Sequence, residues 1–223
     1  MIYLDNNATT RIDLRVVEHF ANVLSQRLGN PASQHGVGRT ARSIVEDARD
    51  GMLRLIGAHT LGMASDSFLF TSGGTEANNL ALFGIASQRP GTIVVSSIEH
   101  PSVLAAAQRL EQLGRTVRYL PCSNSGKILI DPLRAWVEQG EKISMVSLML
   151  ANNETGVLQP VSELVTVCQA LGIAVHTDAV QAFGKIPVDF RSLGVDAMTI
   201  TAHKIHGPIG IGGLALRHGL KLD

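Results

Sequence analysis

Phe68-Leu69-Phe70-Thr71-Ser72-Gly73-Gly74-Thr75-Glu76-Ala77-Asn78-Asn79 is the stretch that decides how this chain folds. Its aromatic, apolar start predicts a strand over Phe68–Thr71, two glycines break it, and a helix is predicted over Thr75–Gln88. A strand that turns straight into a helix is the repeating unit of an α/β sheet. The glycines let backbone N–H groups approach an anion closely, and the helix start adds free donors and a favourable dipole. The Thr75 hydroxyl can donate as well. The same residues also describe a plain strand-to-helix turn with Thr75 as N-cap, and the turn alone does not separate the two readings. It lacks the Gly-Lys-Ser/Thr ending of a nucleotide P-loop.

The alternation continues on both sides of this unit. Short β-branched runs predict strands over Thr92–Ser97, Thr116–Pro121, Ile143–Met149, Ile173–Thr177, Asp196–Thr201 and Ile211–Leu216. Amphipathic stretches predict helices over Leu14–Arg27, Gly38–Ile56, Ser102–Leu113, Pro132–Glu138 and Val161–Leu171. Near-continuous apolar strands alternating with helices argue for an α/β fold: a mostly parallel mixed sheet of about seven strands with helices on both faces.

The chemically interesting residues follow the strands. Thr71 to Thr75 follow one, Glu99-His100 another, Asn152-Asn153-Glu154 a third, Asp178 a fourth and His203-Lys204 a fifth. Ligands of open α/β sheets bind outside the carboxyl ends of the strands, so these clusters predict one shared pocket.

Asp178, in His176-Thr177-Asp178-Ala179-Val180-Gln181, can pair with a protonated pyridine nitrogen and keep such a ring cationic. It can equally cap a following helix. Gln181, three residues on, could reach an oxygen on the same ring. Lys204, in Thr201-Ala202-His203-Lys204, follows a buried strand. Desolvation there lowers the pKa of an amine and frees it for imine formation. Thr201 and His203 flank it with phosphate-binding groups, although a lysine at a strand end is ordinarily a surface residue. His100 could stack on a flat ring or transfer a proton, or be structural. Asn153 could bind a ring oxygen or a substrate carboxylate, or belong to an Asn-rich turn before Gly156.

Composition narrows the partners. The 223 residues are enough for one large domain; 19 Lys plus Arg balance 19 Asp plus Glu, so no basic block points to nucleic acid or an anionic membrane. No apolar run reaches the length of a membrane span, and the N-terminus has neither the basic nor the apolar region of a signal peptide. Cys122 and Cys168 form neither a CxxC pair nor a disulfide framework, so a reducing cytoplasm is expected.

Linked motifs run through nearly the whole chain: Tyr3-Leu4-Asp5-Asn6-Asn7-Ala8-Thr9-Thr10, Gly29-Asn30-Pro31-Ala32-Ser33 with His35 and Gly38-Arg39, Thr71 to Asn79, Glu99-His100, Asn152-Asn153-Glu154 with Gly156 and Gln159-Pro160, Asp178 with Gln181, and Ala202-His203-Lys204 with Gly207-Pro208. In this order they resemble the class V aminotransferase family of enzymes dependent on pyridoxal 5′-phosphate (PLP), of fold type I, and within it the cysteine desulfurases. The resemblance implies Lys204 as Schiff-base lysine, Asp178 as partner of the pyridinium and Gln181 as contact to the phenolic oxygen. It implies His100 stacked on the ring and in catalysis, Gly74, Thr75, Thr201 and His203 around the phosphate, and Asn153 near cofactor and substrate carboxylate. Gly73-Gly74-Thr75 stands where the family usually has Gly-Ala-Thr, Thr201 where Ser is common, and Ile209 where Lys is frequent.

The implied activity is removal of sulfur from L-cysteine to give alanine and an enzyme persulfide, with iron–sulfur cluster assembly among the pathways served. Another class V reaction (an aminotransferase or a selenocysteine lyase) and a non-catalytic PLP-binding remnant are the alternatives. A homodimer and a sulfur-acceptor protein are implied as partners. Residues 1–13 are expected as an N-terminal arm and 14–223 as the PLP-binding large domain. The small C-terminal domain, with the family's nucleophilic cysteine and carboxylate-binding arginine, is expected to be absent. Cys122 and Cys168 match neither position and are read as structural.

Overall fold

The computed structural model describes residues 2–26 and 29–222. The proposed domain limits at Met1 and Asp223, and the predicted helix end at Arg27, lie outside the described residues. The strands are β1 (Ser67–Thr71), β2 (Thr92–Ser96), β3 (Val117–Leu120), β4 (Ile143–Ser147), β5 (Ala174–Asp178), β6 (Ala197–Thr201) and β7 (Gly212–Leu216). The helices are α1 (Leu14–Ser25), α2 (Gly36–Leu55), α3 (Gly74–Gln88), α4 (Pro101–Gln112), α5 (Asp131–Glu138), α6 (Val161–Gln169) and α7 (Phe190–Leu193). Every predicted strand and helix is present, with ends displaced by a few residues. Sequence reading missed α7 and a 3-10 turn over Ala202–Lys204.

The sheet runs β1-β7-β6-β5-β4-β2-β3. The pairs β3–β2, β2–β4, β4–β5 and β5–β6 are parallel, and β7 is antiparallel to both β6 and β1. The link from β6 to β7 is too short for a helical crossover, which forces the reversal. Because β1 and β6 both oppose β7, their carboxyl ends reach the same edge as those of β2, β4 and β5.

The central strands are buried on both faces, and alternate residues feed separate cores. Ile93, Met145, Ala174, Ala197 and Leu214 pack with α3 and α4, through Ala81, Leu82, Ile85 and Ala107. Val94, Val146, Val175, Met198 and Ala215 pack on the other face with Leu53, Leu133, Leu164 and Phe190. This period of two is the physical content of the predicted helices on both faces.

One local expectation is corrected. α3 begins at Gly74, its N-cap is Gly73, and no side chain caps it, so Thr75 does not cap the helix. Glycine fits because space is short. A Cβ on Gly74 would lie 3.2 Å from Val180 Cγ2, and one on Gly212 of β7 would lie 2.6 Å from the Gly73 backbone. Residues 2–13 form neither helix nor strand before α1. This arm is strapped to the turn after β6: Thr10 N–H donates to His203 O (2.8 Å), His206 N–H to Thr10 Oγ1 (2.7 Å) and Asp13 N–H to His206 O (2.9 Å).

Candidate active site

A cavity of about 290 Å³ opens at the carboxyl edge of the sheet. It is lined by Gly74 and Thr75 after β1, His100 after β2, Asn153 after β4, Asp178 and Gln181 from β5, and Thr201, His203 and Lys204 from β6. The structure therefore brings all the site residues expected from sequence to one place. Sequence reading missed Ala8, Asn78, Ser102, Met149, Ala151 and Val180 in the same wall.

Asp178 ends β5 almost wholly buried. Its Oδ1 accepts from Val180 N–H (2.9 Å) in a turn; no helix starts there, since the next one, α7, is capped by Asp189, so the helix-capping reading of Asp178 is corrected. Its Oδ2 accepts from Asn78 Nδ2 (2.7 Å). Burial pushes its pKa up, opposed by the bonds from Asn78 and Val180 and then by the charges of His100 and Lys204. A buried carboxylate facing a cavity is stabilised by a cation or a donated proton there.

Asn78 extends this contact into a network. Its other amide proton goes to Ser102 Oγ (3.0 Å), and Ser102 Oγ sits 2.8 Å from His100 Nδ1. Nδ1 also accepts from the Ser102 N–H (3.1 Å), which makes His100 the N-cap of α4 and assigns the proton of the neutral ring to Nε2. His100 thus caps α4 and lines the cavity at once, its ring held by one edge. Asn78 Oδ1 has no hydrogen-bond partner among the described residues. The signal for Asn78 was present in sequence as a polar residue on the buried face of α3, one turn after Thr75.

Glu99, beside His100, is buried, and its Oε1 accepts from Ser96 Oγ (2.5 Å) and Met149 N–H (2.7 Å). Burial pushes its pKa up to about 8 against those two bonds, and the nearby Asp178 charge adds to the rise. The shift favours the protonated acid at neutral pH.

Lys204 occupies the 3-10 turn after β6, half-buried. Its Nζ donates to the Asn7 carbonyl of the arm, and Gln181 Nε2 donates to the same oxygen (2.9 Å). Burial lowers the Lys204 pKa, as does the charge of Lys185; Asp178 and Asp5 oppose the shift. His203 is also lowered, by burial and then by Lys204. Asn153 reaches the cavity because its neighbour Asn152 makes the turn: Asn152 Oδ1 accepts from Glu154 N–H (3.1 Å) and Thr155 N–H (2.9 Å). The Asn-rich turn and the cavity residue are two different asparagines.

At the β1–α3 turn the first amides of the helix have no intrahelical partner. Glu76, the acid of that first turn, is engaged by Ser72 through its N–H (2.7 Å) and hydroxyl (2.6 Å), which hold its carboxyl below the usual range. The Thr201 hydroxyl donates to Ile211 O (3.1 Å), leaving its oxygen only as an acceptor while that bond persists. The cavity therefore offers an anion seat, a buried carboxylate and a primary amine with lowered pKa. That set suits an anionic aldehyde carrying a basic ring nitrogen. No group of three or more metal-ligating residues occurs among the described residues.

Comparison with known proteins agrees. The family model described as aminotransferase class-V matches residues 2–222. A cysteine desulfurase IscS of Dictyoglomus turgidum is 41% identical, over 99% of this chain and 55% of its own length. A cysteine desulfurase of Cereibacter sphaeroides is 42% identical, over 98% of this chain and 56% of its own. The solved structure of a NifS-like protein superposes with a TM-score of 0.91 at 36% identity, over 100% of this chain and 60% of that one. SspA in complex with cysteine gives 0.85 at 32%, over 96% and 60%. The chain spans about half the length of the curated relatives it matches. A match over residues 2–222, on a sheet whose strand ends gather this set of side chains, shows that the chain belongs to the aminotransferase class-V family.

Proposed function

We propose that this chain binds PLP and forms the cofactor-binding part of a cysteine desulfurase. The observation that carries the reading is the pairing, in one cavity, of the buried Asp178 carboxylate with the Lys204 amine at the ends of adjacent strands. The residues present fit the group. Asp178 has a natural partner in a protonated ring nitrogen, and the β1–α3 turn brings the free first amides of α3 to the cavity that Gly74 and Thr75 line, where a phosphate can be seated.

In this reading PLP, when bound, supplies a cationic ring that takes up electron density from the substrate's α-carbon. Lys204 holds the group through its amine and, once released, accepts the α-proton at Nζ. Asp178 keeps the proton on the ring nitrogen, and Asn78 keeps Asp178 aimed. His100 covers the ring, fixed by Ser102. Gly74, Thr75 and His203 hold the phosphate, joined by Thr201 once its hydroxyl turns from Ile211 O to donate there; Gln181 gives a hydrogen bond to the phenolic oxygen, and Asn153 receives the substrate. The name and cysteine complex of the relatives support L-cysteine as substrate, with alanine as product.

The thiol that takes the sulfur is neither Cys122 nor Cys168. Neither lines the cavity, and burial pushes Cys168 up to about 12. A cavity without a thiol among the described residues also suits a class V reaction that needs none, such as transamination, and product analysis with cysteine and with alanine plus a keto acid separates the two. Leu14, Val17, Phe20 and Leu24 expose an apolar stripe on α1, which supports burial against further protein surface, as in a homodimer.

The test is direct. PLP added to the protein produces a visible absorbance band, borohydride fixes the group on Lys204, and Lys204→Ala shows neither. A wild-type protein that takes up no PLP on Lys204 overturns the proposal.

A further inference from the structure

Lys204 is the wall between two cavities. Besides the one described above, it lines a second space of about 580 Å³ with Asn6, Asn7, Lys185 and His206. Lys185 follows Gly184 in the turn after β5 and donates to Gln181 Oε1. Gln181 Nε2 in turn donates to Asn7 O, whose remaining lone pair takes Lys204. A continuous chain of hydrogen bonds therefore joins one lysine to the other through Gln181 and the arm.

We infer that Lys185 is a positioning residue for Lys204 and Gln181: its ammonium fixes the Gln181 amide, and its charge faces Lys204 across the second cavity. The inference rests on the reading of Lys204 as the lysine that captures the cofactor.

The amide argument is geometric. With Lys185 on Oε1, Gln181 turns its NH₂ group to the Asn7 carbonyl, and the second amide proton remains for an acceptor in the cavity that Gln181 lines. A reversed amide would set its oxygen against the Asn7 carbonyl. An N–H aimed this way is what a phenolate oxygen requires. The charge argument follows from covalent capture of an aldehyde, which needs a neutral amine. Around Lys204 stand Asp178 from β5, Asp5 from the arm, His203 from its own turn and Lys185. The two carboxylates favour the ammonium form, and among these neighbours Lys185 is the cation that opposes them. Lys185 is itself largely exposed, so solvent weakens the effect.

The experiment uses apoprotein. Acetylation of Lys204 by acetic anhydride is followed against pH by peptide mass spectrometry, with the exposed Lys127 as reference, in wild type, Lys185→Met and Lys185→Arg. Lys185→Met is expected to move the half-reaction pH of Lys204 upward by about half a unit and to slow PLP capture about threefold near neutral pH. Lys185→Arg is expected to stay close to wild type. An unchanged Lys204 titration in Lys185→Met overturns the inference. Equal shifts in both variants also overturn it, because they assign the effect to packing rather than charge. If wild type itself takes up no PLP on Lys204, the cofactor reading falls, while the anhydride titration still decides the relation between the two lysines.

Discussion

Glu99→Gln should make the protein's stability less sensitive to alkaline pH. In the folded chain Glu99 is buried, and its pKa is pushed up to about 8 from an ordinary 4.5. Between those values the unfolded chain releases the proton and the folded chain keeps it. Folding then requires proton uptake, and the folded state loses up to about 1.4 kcal/mol for each pH unit of rise until Glu99 ionises. From pH 6 to pH 8 the loss is roughly 2 kcal/mol after allowance for partial ionisation near the upper value. Glutamine has nearly the same shape, and its Oε1 can keep the bonds from Ser96 and Met149, but it does not titrate. Urea unfolding of both proteins at several pH values measures the effect. The stability difference should move by roughly 2 kcal/mol in favour of the variant between pH 6 and 8, with an unchanged dependence on urea. Any constant cost of the glutamine NH₂ cancels in that comparison. Parallel stability curves would show that Glu99 is ionised in the fold at pH 6, and the account of the site's electrostatics would be wrong.

Further outcomes follow from the same geometry. Asn78→Ala strips a donor from buried Asp178 and another from Ser102, and should cost about 1–3 kcal/mol in urea unfolding together with weaker PLP retention. Gly212→Ala would force a Cβ to 2.6 Å from the Gly73 backbone, so a loss of about 1–3 kcal/mol and a lower PLP affinity are expected by the same measurements. A thiol reagent should label half-buried Cys122 in the native protein and reach fully buried Cys168 only on unfolding; simultaneous labelling would contradict the core placement of α6.

The sheet was legible because its strands are short, apolar and bounded by turn residues, and because each polar cluster sits immediately after one of them. The site was legible for a related reason: a strand end fixes where its next few side chains go. What escaped has identifiable causes. α7 has only four residues, too few for helical periodicity, although Asp189 as N-cap and Gly194 at its end were visible signals. Thr75 was a candidate cap because threonine commonly caps helices. The close approach of β7 at Gly212 and of Val180 at Gly74 suits glycine at that turn, and this crowding comes from residues far along the chain. Asn7 acts through its carbonyl oxygen, which every residue possesses, so no side-chain pattern could single it out. Ser102 and Lys185 matter through the partners they reach, His100 and Gln181, rather than through their own positions in a motif.

The antiparallel strand has a consequence for when the site can come into being. β1 carries the anion-binding turn, yet it joins the sheet through β7 alone. During synthesis β1 emerges early and must wait, its edge unpaired, until residues 212–216 have left the ribosome. Only then can Gly212 settle against Gly73 and lock the turn beside the ends of β5 and β6. Assembly of the pocket is therefore a late, long-range event, and the unpaired edge of β1 stays open to wrong partners until β7 closes on it. A nascent chain arrested before β7 would possess every side chain of the cavity and still lack the cavity.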